Sequence, residues 1–246
     1  MAYLTQYDST HGRLDNVSLD EAAHALQIGG LCIPVSHATQ PESVPWKEWE
    51  TDIVVECSGQ YSKRPDLERF LNAGCPRLLL SHPGHSSDDV DATIVYGITE
   101  NSLLPTHQLV SAASCTTNAA VPVLSLLHEQ FGIDQVLLTT IHSVMNDQPL
   151  IDGYHHTDLR RTRSAMQSII PVATGLARGV ERLMPALTGK VQAKAIRVPT
   201  LNVSAIDITL QLQSDTTVSA INAALRAASK EHLNYLIDYT EQAHAS

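Results

Sequence analysis

An excess of positive charge is the first thing that this sequence lacks. Lysine and arginine number 16 against 26 aspartate and glutamate residues, which gives a formal net charge of −10. Proteins that hold nucleic acid through its phosphates need basic surfaces, so this balance argues against nucleic acid as a partner. The first eight residues hold no basic stretch and no apolar core, and no apolar run approaches the length of a membrane span. We therefore expect a cytoplasmic protein without a membrane partner.

Paired cysteines are also lacking. The four cysteines, Cys32, Cys57, Cys75 and Cys115, include no C-x-x-C pair. Their spacing does not form a disulfide framework in a chain of 246 residues, so we expect reduced thiols. The adjacent histidines in residues 155–158 lack the i, i+4 spacing of a helical metal site. We interpret that segment as a solvated loop and predict no metal site.

The sequence has no internal repeat and no low-complexity segment, and its composition is that of a folded protein. Hydrophobic residues make up 43% and charged residues 17% of the chain, which excludes disordered, collagen-like and coiled-coil classes. A compact fold of this size would expose roughly 10,700 Å² and bury about 70% of the surface of the extended chain. That is enough for one large core or two smaller ones.

Residues 51–113 have the pattern of a parallel sheet. Residues 52–57 and 77–81 are apolar runs that predict buried strands, and between them Ser62 can cap a helix that ends at Gly74. Residues 92–96 and 108–111 predict further strands. Ligands of open parallel sheets bind at the carboxyl ends of strands.

Three small residues mark that edge of the predicted sheet: Ser58, Gly59 and Ser81 directly follow two of its strands. We therefore predict a binding crevice beside them. The segment before this sheet is ambiguous, because residues 18–26 fit a short helix opened by a capping box, whereas residues 25–35 fit a hairpin around Gly29 and Gly30.

A second region begins near residue 114. A helix is predicted to begin at Cys115 and to end at Gly132, followed by a strand at 136–141. Further on, we predict a helix at 175–183, strands at 194–198 and 203–212, and a helix at 217–230. Helices combined with strands of antiparallel type indicate an α+β domain. We therefore divide the chain into domains 1–113 and 114–246.

Cys115 and His142 are the candidates for catalysis. A thiol at a helix N-terminus meets unpaired N–H groups and the positive end of the helix dipole, which favour the thiolate. A nearby imidazole would stabilise it further as a thiolate–imidazolium pair, and His142 ends a predicted strand. The alternative is an inert thiol and an unrelated core histidine, which is the ordinary situation for an arbitrary cysteine and histidine.

Several residues are candidates for binding an anion. Arg197 lies in an otherwise apolar strand and needs an anionic partner, which could be the carboxylate of Asp207 or a substrate phosphate. Thr174 and Gly175 open a predicted helix, where anions bind, although a threonine there is ordinarily just an N-cap. Three arginines, Arg160, Arg161 and Arg163, would ordinarily form a solvated loop, although one of them could lie beside an anion site.

Six motifs together resemble the glyceraldehyde-3-phosphate dehydrogenase family of phosphorylating aldehyde dehydrogenases. They occur in the family's order and are YDSTHG at 7–12, ECSG at 56–59, SCTTN at 114–118, TTIHS at 139–143, DLRRTR at 158–163 and RVPT at 197–200. Residues 141–148 and 161–171 are more similar to the branch that acts on D-erythrose 4-phosphate, since Met145 stands where the glyceraldehyde-3-phosphate enzymes usually carry a threonine.

The resemblance implies roles for the matched positions. Cys115 would be the nucleophile that forms a thiohemiacetal, and His142 would activate it while a hydride leaves to NAD. Six positions would bind substrate and anions: Ser114, Thr116, Arg161, Thr174, Gly175 and Arg197. The cofactor side would comprise Ser58, Gly59 and Ser81. Relatives are homotetramers, and those that prefer erythrose 4-phosphate supply pyridoxal phosphate biosynthesis.

The chain also departs from the family pattern. It contains no G-x-G-x-x-G turn, so we expect a partial Rossmann-like NAD-binding domain that lacks the first βαβ unit. Thr39 stands where relatives usually place an arginine. We also expect the catalytic domain to stop short of the family's C-terminal helix. A non-catalytic fragment that keeps the thiol site without holding NAD is therefore the alternative to an enzyme.

Overall fold

The computed structural model describes residues 1–155 and 157–245. The helices in these residues are α1 (Ala2–Gln6), α2 (Arg64–Asn72), α3 (Cys115–Phe131), α4 (Leu176–Leu183) and α5 (Val218–Ala228). The strands are β1 (Tyr7–Asp8), β2 (Gly12–Arg13), β3 (Val17–Asp20), β4 (Ala25–Ile28), β5 (Leu31–Pro34), β6 (Val54–Glu56), β7 (Leu78–Leu80), β8 (Ala92–Thr93), β9 (Leu109–Ser111), β10 (Ile133–His142), β11 (Ile170–Val172), β12 (Val191–Arg197) and β13 (Ala205–Leu212). Short 3₁₀ turns occur between several of them.

The parallel sheet predicted for residues 51–113 is present, with strand order β6-β7-β9-β8. Leu78 and Leu80 of β7 point towards α2 and are buried with Leu67 and Phe70. On the opposite face, an open apolar cavity of about 580 Å³ runs along Leu79 and other side chains of the sheet. In the described part of the chain, a helix therefore covers this sheet on one face only.

The helix that Ser62 was predicted to cap begins two residues later, so that prediction is wrong. The N-cap of α2 is Lys63, whose side chain makes no capping hydrogen bond, and Pro65 follows in the first turn. The free backbone N–H of Arg64 instead donates to Asp89 Oδ1, 2.8 Å away. The carboxylate of Asp89, from a distant turn, thus caps the N-terminus of α2 in place of the Ser62 hydroxyl.

The ambiguous segment before the sheet forms strands rather than a helix. Strands β3, β4 and β5 make a three-stranded antiparallel sheet, and Ile28 pairs with Leu31 across the Gly29–Gly30 turn. Both glycines have positive φ, +56° and +89°, as a two-residue hairpin turn requires. The hairpin alternative is therefore confirmed, because turn chemistry outweighed the capping-box pattern at Ser18.

The second region is a mixed sheet with strand order β11-β12-β10-β13. Strand β10 pairs in parallel with β12 and antiparallel with β13, whereas strands of antiparallel type were predicted throughout. The parallel pair arises because α4 lies on the connection between β10 and β12 and packs on the sheet. The overall class, a parallel-sheet α/β region followed by an α+β region, is confirmed.

The main core lies between this mixed sheet and α3 with α4. Its fully buried members include Val121 and Leu124 of α3, Leu138 of β10 and Val180 of α4. Val95 from the first region joins the same core, so the two regions pack together. Their division at residues 113 and 114 stays a prediction.

The accessible surface is 15,388 Å², about 40% more than a compact chain of this mass would expose. The expectation of 70% burial is therefore wrong. Exposed apolar side chains in both regions contribute to this excess, among them Leu31 (67% exposed) in the first region and Tyr154 (89%) and Leu201 (75%) in the second.

The predicted solvated loop at 155–158 is described except for His156, which lies outside the described residues. In 1–155 and 157–245, no group of three or more His, Cys, Asp or Glu side chains is placed to hold a metal ion. Within the same ranges, every helix is too short or too polar to cross a lipid bilayer.

Candidate active site

Cys115 is the first residue of α3, as its sequence context predicts. Ser114 is the N-cap, and its side-chain oxygen accepts a hydrogen bond of 3.1 Å from the backbone N–H of Thr117. The preceding residue, Ala113, is buried and has a φ of +61°, a left-handed conformation that is strained for alanine. The Asn118 side chain closes this turn by donating to the carbonyls of Ala112 and Ser114 at 2.7 and 2.9 Å. The thiol is thus exposed and held in a defined position.

His142 lies next to this thiol. Its Nε2 is 3.7 Å from Cys115 Sγ, although the two residues are 27 positions apart. Its Nδ1 is 2.7 Å from the Ser143 carbonyl oxygen, and because a carbonyl only accepts, Nδ1 carries the proton. In the neutral ring Nε2 therefore presents a lone pair to the thiol. This is the orientation that a general base for Cys115 needs.

Arg197 lies directly beside His142, because the two residues pair in the parallel register of β10 and β12. Its guanidinium is buried and contacts Asp147 through both Nη atoms, at 2.7 and 3.3 Å. Arg161 binds the same carboxylate, with 2.9 Å between Nη1 and Asp147 Oδ2. The Nε of Arg161 is buried and has no hydrogen-bond partner among the described residues. The cluster carries one positive charge in excess.

The suggested partner of Arg197, Asp207, is wrong. Asp207 pairs in register with Thr139, three residues before the end of β10, and its side chain is exposed. Asp147 was overlooked because it lies in an irregular loop 50 residues before Arg197 in sequence. Its position in a polar stretch right after His142 was the available signal.

A small cavity of about 170 Å³ lies on the other side of the nucleophile and is called here the anion pocket. Its lining includes four of the predicted positions and two arginines that sequence reasoning missed: Ser114, Thr116, Thr174, Gly175, Arg178 and Arg182. Among the described residues, neither Arg178 nor Arg182 has an ion-pair partner. Their i, i+4 spacing after Thr174–Gly175 was the signal that could have identified them.

The anion pocket exists because α3 and α4 approach closely. Gly179 faces Thr117, and a Cβ on this glycine would lie 2.7 Å from Thr117 Oγ1. Any larger residue would push the helices apart, so Gly179 sets the width of the pocket. The N-termini of both helices, capped by Ser114 and Gly175, border the same space, where backbone N–H groups favour an anion.

The residues predicted to bind the cofactor, Ser58, Gly59 and Ser81, lie at the carboxyl ends of β6 and β7. The backbone N–H of Ser81 donates to the Glu56 carbonyl at 3.0 Å, which places the ends of the two strands side by side. A crevice of about 570 Å³ beside β6, called here the nucleotide crevice, is lined by Ser58, Thr39, Trp46 and Tyr61 among others. Gly59 follows with a φ of +70° and open space above it.

Aromatic walls with a polar rim fit the nucleoside part of a dinucleotide. Ser81 is exposed at the neighbouring strand end, outside the residues that line this crevice. The loop after Ser81 forms one wall of the anion pocket through Pro83, Gly84 and His85. The predicted cofactor side and the thiol side therefore share one loop.

Two family models match the chain. Residues 114–246 match the one described as glyceraldehyde 3-phosphate dehydrogenase, C-terminal domain, and residues 1–64 match the one described as glyceraldehyde 3-phosphate dehydrogenase, NAD binding domain. The first match alone covers more than half of the chain. With a cysteine and a histidine in reach of each other beside paired arginines, the chain belongs to the glyceraldehyde 3-phosphate dehydrogenase family and is an oxidoreductase that uses NAD.

Proposed function

We propose that this protein oxidises D-erythrose 4-phosphate to 4-phosphoerythronate, with Cys115 as nucleophile and NAD as the electron acceptor. The observation that carries the proposal is the 3.7 Å contact between Cys115 Sγ and His142 Nε2 directly beside the buried Arg197. A thiol, a base and a phosphate-binding guanidinium are the groups that oxidation of a phosphorylated aldehyde requires.

The steps follow from these side chains. His142 Nε2 accepts the thiol proton, the thiolate adds to the aldehyde carbon, and His142 returns the proton to the resulting alkoxide to give a thiohemiacetal. His142 then accepts the hydroxyl proton as the carbon loses its hydride and a thioester forms on Cys115. When bound, NAD supplies the site that accepts this hydride. His142 then loses the hydroxyl proton to solvent. Water attacks the thioester while His142 accepts a proton from it, and the C–S bond breaks, which releases the acid and restores the Cys115 thiolate.

Arg197 and Arg161 would hold the substrate phosphate while these steps occur. Asp147 keeps the two guanidiniums close together, and the unpaired buried Nε of Arg161 is a donor available for a ligand oxygen. On the other side of Cys115, Ser114, Thr116, Thr174 and Gly175 would bind an anion in the anion pocket.

Met145 supports the choice of the four-carbon aldehyde. Its Sδ lies 3.4 Å from Arg197 Nη2, so the thioether is placed at the proposed phosphate site. A threonine here would offer a hydroxyl to the phosphate, whereas methionine offers none.

The second candidate is oxidation of glyceraldehyde 3-phosphate, with inorganic phosphate instead of water attacking the thioester. The anion pocket favours it, because Arg178 and Arg182 add positive charge beside Cys115. For either substrate we propose a homotetramer. The loop at 146–170 supports this, since Tyr154 is 89%, Leu159 83% and Ile169 71% exposed.

The test compares kcat/KM for the two aldehydes by following NADH formation. We expect erythrose 4-phosphate to be preferred, and Met145→Thr to shift the ratio about tenfold towards glyceraldehyde 3-phosphate. Met166→Thr is the matched control, because Met166 is 41% exposed against 46% for Met145. A wild type that prefers glyceraldehyde 3-phosphate would favour the second candidate. No turnover with either aldehyde, from folded protein whose Cys115 still reacts with iodoacetamide, would identify a non-catalytic fragment.

A further inference from the structure

Glu56 is a buried carboxylate that the proposed reaction does not use. It ends strand β6 and is 4% exposed. Its Oε1 accepts hydrogen bonds from the backbone N–H of Ser58, at 2.8 Å, and from the Ser58 hydroxyl. Its Oε2 lies 2.6 Å from His82 Nε2 and accepts a longer bond of 3.4 Å from the Gly59 N–H. A charge kept this far from water is costly unless it is fully hydrogen-bonded, and this one is.

The His82 ring faces a hydrogen-bond acceptor at each of its two nitrogens. His82 Nδ1 lies 3.0 Å from the Pro83 carbonyl oxygen, which can only accept, and Nε2 faces the Glu56 carboxylate. Both ring nitrogens thus face acceptors, and a doubly protonated ring satisfies both. Burial raises the pKa of the Glu56 carboxyl, but the hydrogen bonds from Ser58 and His82 outweigh burial and hold this pKa below its usual value.

Other titratable groups near the pair are few. Among the described residues, His82 is the titratable side chain that interacts with the Glu56 carboxylate. Cys57 and Tyr61, which line the same crevice, are the remaining titratable groups there.

The pair is connected in two directions. On one side, Glu56 holds the Ser58–Gly59 turn of the nucleotide crevice. On the other, the His82 carbonyl accepts a 2.8 Å bond from the Ser111 hydroxyl, which in turn accepts one of 3.1 Å from the Ala113 N–H. Ala113 is the left-handed residue that sets the turn before Cys115. One chain of hydrogen bonds therefore runs from the crevice to the nucleophile.

We propose that Glu56 and His82 are positioning residues that couple the nucleotide crevice to the turn carrying Cys115, through a proton held between them. The inference rests on the proposed assignment of Ser58 and Gly59 to the cofactor. Its consequence is that NAD affinity and Cys115 reactivity depend on pH together. Neither residue touches the reacting atoms.

The test measures two quantities across pH on the full chain without substrate: the Kd for NAD by calorimetry, and the iodoacetamide alkylation rate of the peptide containing Cys115 by mass spectrometry. Glu56→Gln keeps the shape but removes the charge. We expect it to raise the Kd about tenfold, slow alkylation about threefold and abolish the pH transition common to both. His82→Gln keeps a donor to Glu56, so it should weaken binding less and flatten the same transition. Ser111→Ala should slow alkylation alone.

Glu68→Gln is the matched control, because Glu68 is an exposed carboxylate of α2 in the same region and should change neither quantity. Wild-type pH profiles in both Glu56→Gln and His82→Gln would overturn the inference. If Glu56→Gln does not fold, His82→Gln tests the inference by itself. The His82 side chain is 22% exposed, so its replacement disturbs the fold less than a change at Glu56. A wild type that binds no NAD would contradict the cofactor assignment instead, and alkylation would then decide the coupling by itself.

Discussion

The two main sheets of this protein differ in strand length and in how completely their side chains are buried. Strand β10 is ten residues long, has a neighbour on each side and buries Ile133, Val136 and Leu138 under α3 and α4. The strands of the parallel sheet in the first region have two or three residues each, and β6 at its edge leaves Val55 53% exposed. The thiol site lies on the mixed sheet β11-β12-β10-β13, called here the deep sheet because of its large core. The predicted cofactor side lies on the parallel sheet β6-β7-β9-β8, called here the shallow sheet.

This difference shows how the site is stabilised. Cys115 and His142 come from α3 and β10, whose contact is maintained by the largest core of the molecule. The nucleotide crevice instead depends on turns and on the polar contacts of Glu56. Reaction geometry is thus secured by packing, and the cofactor side by hydrogen bonds, which are individually worth less but respond to pH.

The largest expected effect is on the deep side. Cys115→Ser should lower kcat by about 10³-fold or more, because a serine hydroxyl is far less nucleophilic at neutral pH, and leave the Kd for NAD unchanged. Steady-state kinetics and calorimetry measure the two quantities. Cys32→Ser, at an exposed position on β5, is the control and should keep full activity. A parallel loss of NAD affinity in Cys115→Ser would show that the Cys115 side chain itself contributes to NAD binding.

A core substitution tests the difference in packing. Leu138 is fully buried, so Leu138→Ala should lower the free energy of unfolding by about 2–5 kcal/mol. Val55→Ala, on the exposed edge of β6, should cost about 0.5 kcal/mol or less. Urea titrations followed by circular dichroism measure both. Tryptophan fluorescence in the same titrations follows unfolding of the first region by itself, because both tryptophans, Trp46 and Trp49, lie there. Equal losses of unfolding free energy in Leu138→Ala and Val55→Ala would contradict the difference in packing between the two sheets.

The smallest effect concerns a cap on the shallow side. The hydrogen bond from the Ser86 hydroxyl, with those from the N–H groups of Arg64 and Ser86, lowers the pKa of Asp89 to about 2. A depressed folded pKa stabilises the fold above the unfolded value of 3.8 and loses this contribution as pH falls towards about 2.

Asp89→Asn should therefore lower Tm at neutral pH, and the difference from wild type should shrink steadily below about pH 4. Thermal melts at several pH values measure this. Asp88→Asn is the control, because the Asp88 carboxylate contacts only the neighbouring Ser87 hydroxyl in the described residues. A Tm difference that stays constant down to pH 2 would mean that the Asp89 charge does not stabilise the α2 N-terminus.

Local signals predicted the deep region well. Ser114, the apolar period that follows it and Gly132 determine both ends of α3, so the position of Cys115 could be read from the sequence. The strand ends behind Ser58 and Ser81 were predicted for the same reason. Where two local signals competed, as in residues 18–35, the sequence left the choice open, and pairing between β4 and β5 decided it.

Contacts between distant segments could not be predicted. Arg197 was certain to need an anion, but that the anion is Asp147 depends on how the loop after His142 folds back over β12. Asp89, rather than the adjacent Ser62, caps α2 for the same reason. The arginines of the anion pocket and the Glu56–His82 pair also join elements that are far apart in the chain.

The sequence by itself determined the secondary structure around the nucleophile and the nature of the reactive groups, because these depend on residue type and on spacing within a few turns. Its six ordered motifs also identified the family, and NAD followed as what that resemblance implies. Tertiary structure alone decided which charges meet, Arg197 with Asp147 and Glu56 with His82, and which nitrogen of His142 faces Cys115. A hydrogen bond or ion pair depends on distances of about 3 Å. Spacing in sequence does not specify such distances between segments that only the folded core brings together.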